Sequence, residues 1–302
     1  MLLSRPILSV SDSPAFGRVL QCPVLVGSGD DHLALILSSR DADNRSRTLG
    51  VRIDGTSGTS PQLVRCDVLL TAADVDPDCV GLMIGDVVRG VAGMVAVGNA
   101  YFLGDGVLGS RLFVVPVEIG NSGLRVAGEV RWLFEEDEGT FRATPAVVVT
   151  TAGMSAFYPR AERDAARGSG FPPEYRLQRV PLTDDFQPCG DERPVLVGEQ
   201  PGAWAKAAQD PDDPATVWFC HRDVLPDQAG YRLGRLTLGE TSEADTVELS
   251  ANGGWGQTPP HVGMLAYPEP LPGGDVLACA GDYGSSGVVL LSERARGVES
   301  HG

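Results

Sequence analysis

No Cys-x-x-Cys pair occurs anywhere in the 302 residues: the six cysteines, at 22, 66, 79, 189, 220 and 279, are scattered. That spacing fits reduced, mostly buried thiols and argues against a disulfide frame or a zinc site. No apolar run is long enough to cross a bilayer, and only Met1-Leu2-Leu3-Ser4 precede Arg5-Pro6, too little for the charged and apolar parts of a signal peptide. The expectation is a cytoplasmic protein without a membrane partner. Positive charge is scarce, 24 Lys and Arg against 40 Asp and Glu, and the net charge of −16 argues against nucleic acid as a partner. There is no H-E-x-x-H, no P-loop and no dinucleotide fingerprint, so no cofactor is expected. Helical periodicity is missing too: no window holds apolar residues at helical spacing for three full turns. The brief exception, Ser155 to Gly168 with its charged stretch Ala161–Arg167, lacks an apolar face and reads as a solvated loop or one short helix.

What is present is punctuation and repetition. Thirty-eight Gly and 22 Pro separate short runs of Val, Leu and Tyr, as in an all-β chain. Five runs open alike: Gln21–Val26, Val88–Val91, Ala143–Val148, Trp204–Ala208 and Leu265–Pro270. With Pro23, Gly90, Pro145, Ala207 and Pro268 taken as equivalent, the steps are 67, 55, 62 and 61 residues. That regularity belongs to propeller blades. Five outer-strand candidates run in step: Arg5–Leu8, Cys66–Leu70, Val130–Phe134, Arg193–Leu196 and Val247–Leu249. The first precedes the first opening, so it is expected to complete the last blade, whose other strands lie near 264 to 292, and to remove an exposed edge. The expected architecture is one domain over residues 1–302: a five-bladed β-propeller of four-stranded antiparallel blades, closed by the N-terminal strand.

Three stretches then carry a resemblance. Val217–Arg222 is followed by Gly230-Tyr231-Arg232-Leu233-Gly234, Tyr267-Pro268 by Asp275 to Tyr283 and Gly284–Gly287, and Met154–Arg160 by Glu174–Leu177. This pattern resembles the five-bladed β-propeller glycosidase-like superfamily. The resemblance implies acidic residues on the innermost strands, at the mouth of a central funnel. Hydrolysis of a glycosidic bond needs two carboxyl groups a fixed distance apart. Here Cys22-Pro23 stands where the family pattern has Asp before Pro, and Arg142-Ala143-Thr144-Pro145 where it has Glu shortly before Pro. Asp86 is the nearest acid to any opening.

The expected funnel lining is therefore cationic, apolar and aromatic. Arg89, Arg142 and Lys206 are the candidate catalytic residues, as carbonyl-polarising cations. Gln21, Cys22, Tyr158, Arg160, Trp204, His221, Met264, Tyr267 and Tyr283 are the candidate substrate-binding residues, and no metal ligand is expected. Asp74–Asp78 begins like a calcium loop but has Cys79 and Gly85 where Gly and Glu are needed, and reads as an acidic turn. Three function classes stay open for a small-molecule partner. One is a non-hydrolytic cyclase or cycloaddition catalyst of natural-product metabolism, folding a largely apolar, polyketide-like substrate. Another is a divergent glycoside hydrolase drawing its acids from Asp86, Asp105, Glu129 and Asp282. The last is a non-catalytic binding propeller. Oligomeric state is not legible.

Overall fold

The structure is a computed structural model that describes residues 2–41, 43, 45–57, 61–90, 93–120, 123–135, 137, 139–162, 175–195, 202–223, 231–238, 244–249, 266–280 and 287–293. It is nearly all β. After β1 (Leu2–Ser9), the strands β2 (Val19–Gly29), β3 (His32–Arg40), β4 (Ser46–Asp54) and β5 (Gln62–Thr71) pair antiparallel in that order. One helical turn, α1 (Ala72–Val75), leads to β6 (Cys79–Gly90), β7 (Gly93–Gly104) and β8 (Val107–Gly120). The β7–β8 hairpin turns at Asp105-Gly106, both with positive φ, 51° and 75°. An Asp-Gly pair is what such a two-residue turn selects, because its backbone twist matches that of the strands.

The outer side of β8 carries β9 (Gly123–Val126) and β10 (Arg131–Trp132). Then β11 (Thr140–Arg142) and β12 (Ala146–Thr150) pair successively along one side of β13 (Gly153–Glu162), whose other side holds β14 (Arg176–Leu182) and, beyond it, β15 (Arg193–Pro194). The last two sheets are β16 (Gly202–Gln209), β17 (Thr216–Asp223), β18 (Tyr231–Leu238) and β19 (Ala244–Leu249), and β20 (Ala266–Pro270), β21 (Val276–Ala280) and β22 (Gly287–Glu293) with β1. The amino-terminal strand therefore does complete the carboxy-terminal sheet, pairing Leu2–Ser9 with Glu293–Gly287.

Two expectations need correcting. The middle of the chain does not form separate four-stranded sheets: Phe141 of β11 bridges in parallel to Ser110 of β8 and joins β6 to β15 into one ten-stranded sheet beside three four-stranded ones. Ser155–Glu162 is strand, because its apolar residues alternate into a core shared with β7 and β8 that includes Ala156 and Tyr158; 163–168 lie outside the described residues. Among the described residues no helix is long and apolar enough to cross a membrane.

The five expected openings fall on β2, β6, β12, β16 and β20, and contacts run from each to the next and from β20 back to β2. Each inner strand breaks register at a corresponding place, between Gln21 and Val24, Ile84 and Asp86, Trp204 and Ala207, Ala266 and Glu269, and at the gap 143–145 between β11 and β12; β2 slips again between Leu25 and Gly27, and β6 between Cys79 and Gly81. Aligned on these breaks, the equivalents are Pro23, Gly85, Pro145, Lys206 and Pro268, with steps of 62, 60, 61 and 62 residues. Gly90 and Ala207, expected at two of these positions, lie beyond them. Gly90 pairs with Gly93 at the hairpin that ends β6. Gly85 is the true equivalent because a β-carbon there would stand 2.1 Å from the Pro145 carbonyl oxygen of the neighbouring inner strand.

Candidate functional site

The breaks concentrate backbone strain. Cys22, Thr144 and Tyr267, each directly before a proline, have φ of 51°, 37° and 57°. Non-glycine residues rarely occupy this region, and a β-branched one such as Thr144 is an outlier held in place only by its surroundings. A buried polar network supplies that hold. The Thr144 N–H donates to Asn99 Oδ1 at 2.9 Å. The Asn99 amide donates to Ser110 Oγ at 3.2 Å and to the Tyr101 hydroxyl oxygen, and Ser110 donates to the Arg142 carbonyl. Asn99 is wholly buried, so its bonds to Thr144 and Ser110 are made away from water. Burial pushes the Tyr101 phenol above its ordinary pKa despite the amide, which keeps it a neutral donor at pH 7. Tyr101 packs against Phe141, ring centres 6.1 Å apart, and Phe141 against Tyr175 at 5.7 Å.

Beyond the breaks the inner strands are tied side to side. Among the described residues no two of them share a ladder, and side chains bridge every seam. From β2 to β6, the Cys22 thiol donates to the Ile84 carbonyl at 3.2 Å. From β6 to β12, Asp86 Oδ2 accepts from Val147 N–H at 2.7 Å. Between β12 and β16, Gln209 accepts from Val149 N–H at 3.0 Å and donates to its carbonyl at 2.7 Å. From β16 to β20, Lys206 pairs with Glu269, and it donates also to the Pro23 carbonyl of β2. From β20 to β2, Glu269 Oε1 accepts from Leu25 N–H at 2.7 Å.

Lys206 is the only lysine in the chain, and it is wholly buried. Burial alone would lower its pKa; the Glu269 carboxylate outweighs this and holds it above the usual value. Asp86 is pushed up to about 7, first by burial and then by the negative Glu269, against the pull of Val147 N–H, Lys206 and Val87 N–H. The Cys22 thiol rises to about 12, chiefly by burial, so it is no nucleophile at neutral pH. Asp86 and Glu269 line a cleft of about 270 Å3 with Leu25, Val147 and Gln209. It opens at the far end of the inner strands, away from Cys22 and Thr144.

The three candidate catalytic cations have separate surroundings. Lys206 is committed to Glu269. Arg142 lies 3.5 Å from Glu192 and 3.7 Å from Asp137, with its guanidinium 4.5 Å over the Phe134 ring. Arg89 is exposed near the end of β6, five positions past its break at Ile84. Of the expected binding residues, Gln21, Cys22 and Tyr267 do lie at the strained breaks, and the Tyr267 N–H donates to Cys220 sulphur at 3.4 Å. Tyr158 is fully buried against Phe134, and Arg160 pairs with Glu192 at 3.4 Å. Trp204 and His221 pair across β16 and β17 by backbone register. Met264, Tyr283 and Asp282 lie outside the described residues. Asp105 occupies an exposed hairpin turn, and Glu129 is exposed beyond β9. Asn99, Ser110, Tyr101 and Glu269 were not anticipated. Asn99, a lone amide in an apolar strand, and Glu269, an acid between two prolines, were the signals available. Among the described residues no group of three His, Cys, Asp or Glu is placed to hold a metal ion.

No protein-family model matches the chain, and no curated protein matches its sequence. Solved structures do match in shape. The Bacillus subtilis arabinanase Arb43A superposes with a TM-score of 0.54 at 10% identity, over 91% of this chain and 94% of its own. The catalytic domain of the Coprinopsis cinerea GH62 α-L-arabinofuranosidase gives 0.57 at 11%, over 96% of each chain. Bacillus subtilis levansucrase gives 0.55 at 11%, over 94% of this chain and 86% of its own. These are five-bladed β-propeller glycosidase-like folds, and at such identities the likeness shows the fold alone.

Proposed function

We propose that this chain is a five-bladed propeller, closed by β1 in its last blade, that binds a partly apolar organic molecule at the starts of the inner strands and transforms it without hydrolysis, as a cyclase or cycloaddition catalyst. One observation carries the reading: the strained residues before the inner-strand prolines are Cys22, Thr144 and Tyr267, none of them an acid. The only acids on the five inner strands, Asp86 and Glu269, sit past the breaks with their oxygens already bonded. On the described inner strands, therefore, no acid and base stand at the breaks to flank a glycosidic oxygen. Strain at three convergent positions fits a site shaped for a ligand.

In this reading positioning does most of the work. Holding a flexible substrate in a reactive fold supplies up to about 7–11 kcal/mol, and one neutral donor suffices to polarise a carbonyl. In this reading that donor is Tyr101, whose phenol burial keeps neutral and which also accepts from Asn99. The glycosidase reading has the shared fold in its favour and needs carboxylates from loops.

The test is a thermal-shift screen of oligosaccharides against linear polyene and polyketide-like compounds, followed by product analysis for any ligand that stabilises the fold. Stabilisation by the apolar panel, with ring formation lost in Tyr101→Phe, supports the proposal. Reducing sugar released from any glycoside overturns it, and tight binding of an apolar ligand without turnover replaces it by the binding-propeller reading.

A further inference from the structure

The outer edges of the sheets are unequal. β1 carries Pro6, β15 is two residues long and ends in Pro194, and β9 and β10 are four and two residues long. Proline and brevity are the usual protections of an unpaired edge. β19 is six residues long without proline, and β5 is longer still: it runs ten residues without proline and pairs only with β4 among the described residues. On it Val64 and Val68 are 57% and 51% exposed, among the most exposed large apolar side chains of the molecule.

The sequence between them is self-complementary. Val64-Arg65-Cys66-Asp67-Val68 reads, about Cys66, as apolar, cation, thiol, anion, apolar. We propose that β5 is a homodimer interface, pairing antiparallel with β5 of a second copy across a two-fold axis through Cys66. In that register each Arg65 faces Asp67 of the second copy and Cys66 faces Cys66, while Val64, the extra residue of a register slip, lines the same groove as Arg65 and Asp67. Residues directly opposite in an antiparallel pair project to the same side, where opposite charges stabilise. Arg65 and Asp67 do share a side: they pair with Arg52 and Gly50 of β4 and line one groove of about 760 Å3 with Ile119 and Leu124.

The isolated chain also leaves a mismatch that the second copy relieves. Arg65 sits directly opposite Arg52, and among the described residues these like charges are balanced within their own strands, by Asp67 and Asp54. The register of β5 slips between Leu63 and Arg65 and again between Val68 and Leu70. These irregularities bound the regular stretch Arg65–Val68 and twist the edge beyond it, so pairing ends after one strand and closes as a dimer instead of growing into a fibre.

The experiment is sedimentation velocity on the full chain at up to about 100 µM, where a micromolar contact is populated. A dimer that becomes a monomer in Asp67→Arg and in Arg65→Asp, and returns in the double Arg65→Asp/Asp67→Arg exchange, is the expected result, and the recovery excludes misfolding as its cause. In a Cys189→Ser background, mild oxidation should crosslink two chains through Cys66, and Cys66→Ser should abolish the link. A monomeric wild type, or a dimer indifferent to the single reversals, overturns the proposal.

Discussion

The two ends of the inner strands use opposite chemistry. At the starts, neutral residues sit in strained conformations: Cys22, Thr144 and Tyr267 with left-handed backbone, and the uncharged Asn99–Ser110–Tyr101 network behind them. From the breaks onward, charges lie in relaxed roles, with Lys206 inside its break and Asp86 and Glu269 at the far side of theirs, each bonded across a seam. The mouth stores energy while the far end uses ionic groups to join neighbouring strands. Asp86 and Glu269 show a structural use for acids on the inner strands. They are a means of joining inner strands that share no ladder.

Substitutions at each end sharpen that contrast. Lys206→Met should be the most damaging, because it leaves Glu269 buried without its counter-ion, at a cost of about 3–5 kcal/mol in urea unfolding. The double Lys206→Met/Glu269→Gln variant should recover much of it. If the single variant is as stable as wild type, the far end is not held by charge.

Asp86 gives the next effect, through pH. Its folded-state pKa of about 7 exceeds the ordinary 3.8, so the unfolded chain releases the proton first as pH rises. Stability from this group is greatest below about pH 4, falls by about 1.4 kcal/mol for each unit through the window up to about pH 7, and is constant above it. Thermal melts from pH 5 to 8 should show this decline in wild type and a flatter profile in Asp86→Asn. Equal slopes would mean that the carboxylate is already solvated.

At the mouth, Asn99→Ala should cost about 1–3 kcal/mol, since it strands the Thr144 N–H in a dry site. Thr144→Gly should do the reverse, gaining up to about 1–2 kcal/mol by removing left-handed strain, while weakening any mouth ligand. A loss of stability in Thr144→Gly would show that Thr144 is not strained and would dissolve the difference between the ends.

Much of the strand order was legible and much of the site was not, for separate reasons. The inner and outer strands recur at a fixed interval with apolar composition, and composition survives in a one-dimensional reading. Phase within a blade is harder. Gly90 and Gly85 look alike in sequence, yet only Gly85 faces the Pro145 carbonyl, and that closeness exists only once two strands meet. Arg142 stands beside the Ala143-Thr144-Pro145 break as expected, but it meets Glu192 and Phe134. Asn99 reaches Thr144 across 45 positions of sequence, beyond any local pattern.

The solitary lysine gives the molecule an unusual reporter. An acylating reagent or a lysine-specific protease has one side-chain target in the whole chain, and in the folded protein it lies against Glu269 and the Pro23 carbonyl, shut off from solvent. Modification at Lys206 therefore clocks a single event, the parting of β16 from β2 and β20. Its rate measures how often the axis of the molecule opens.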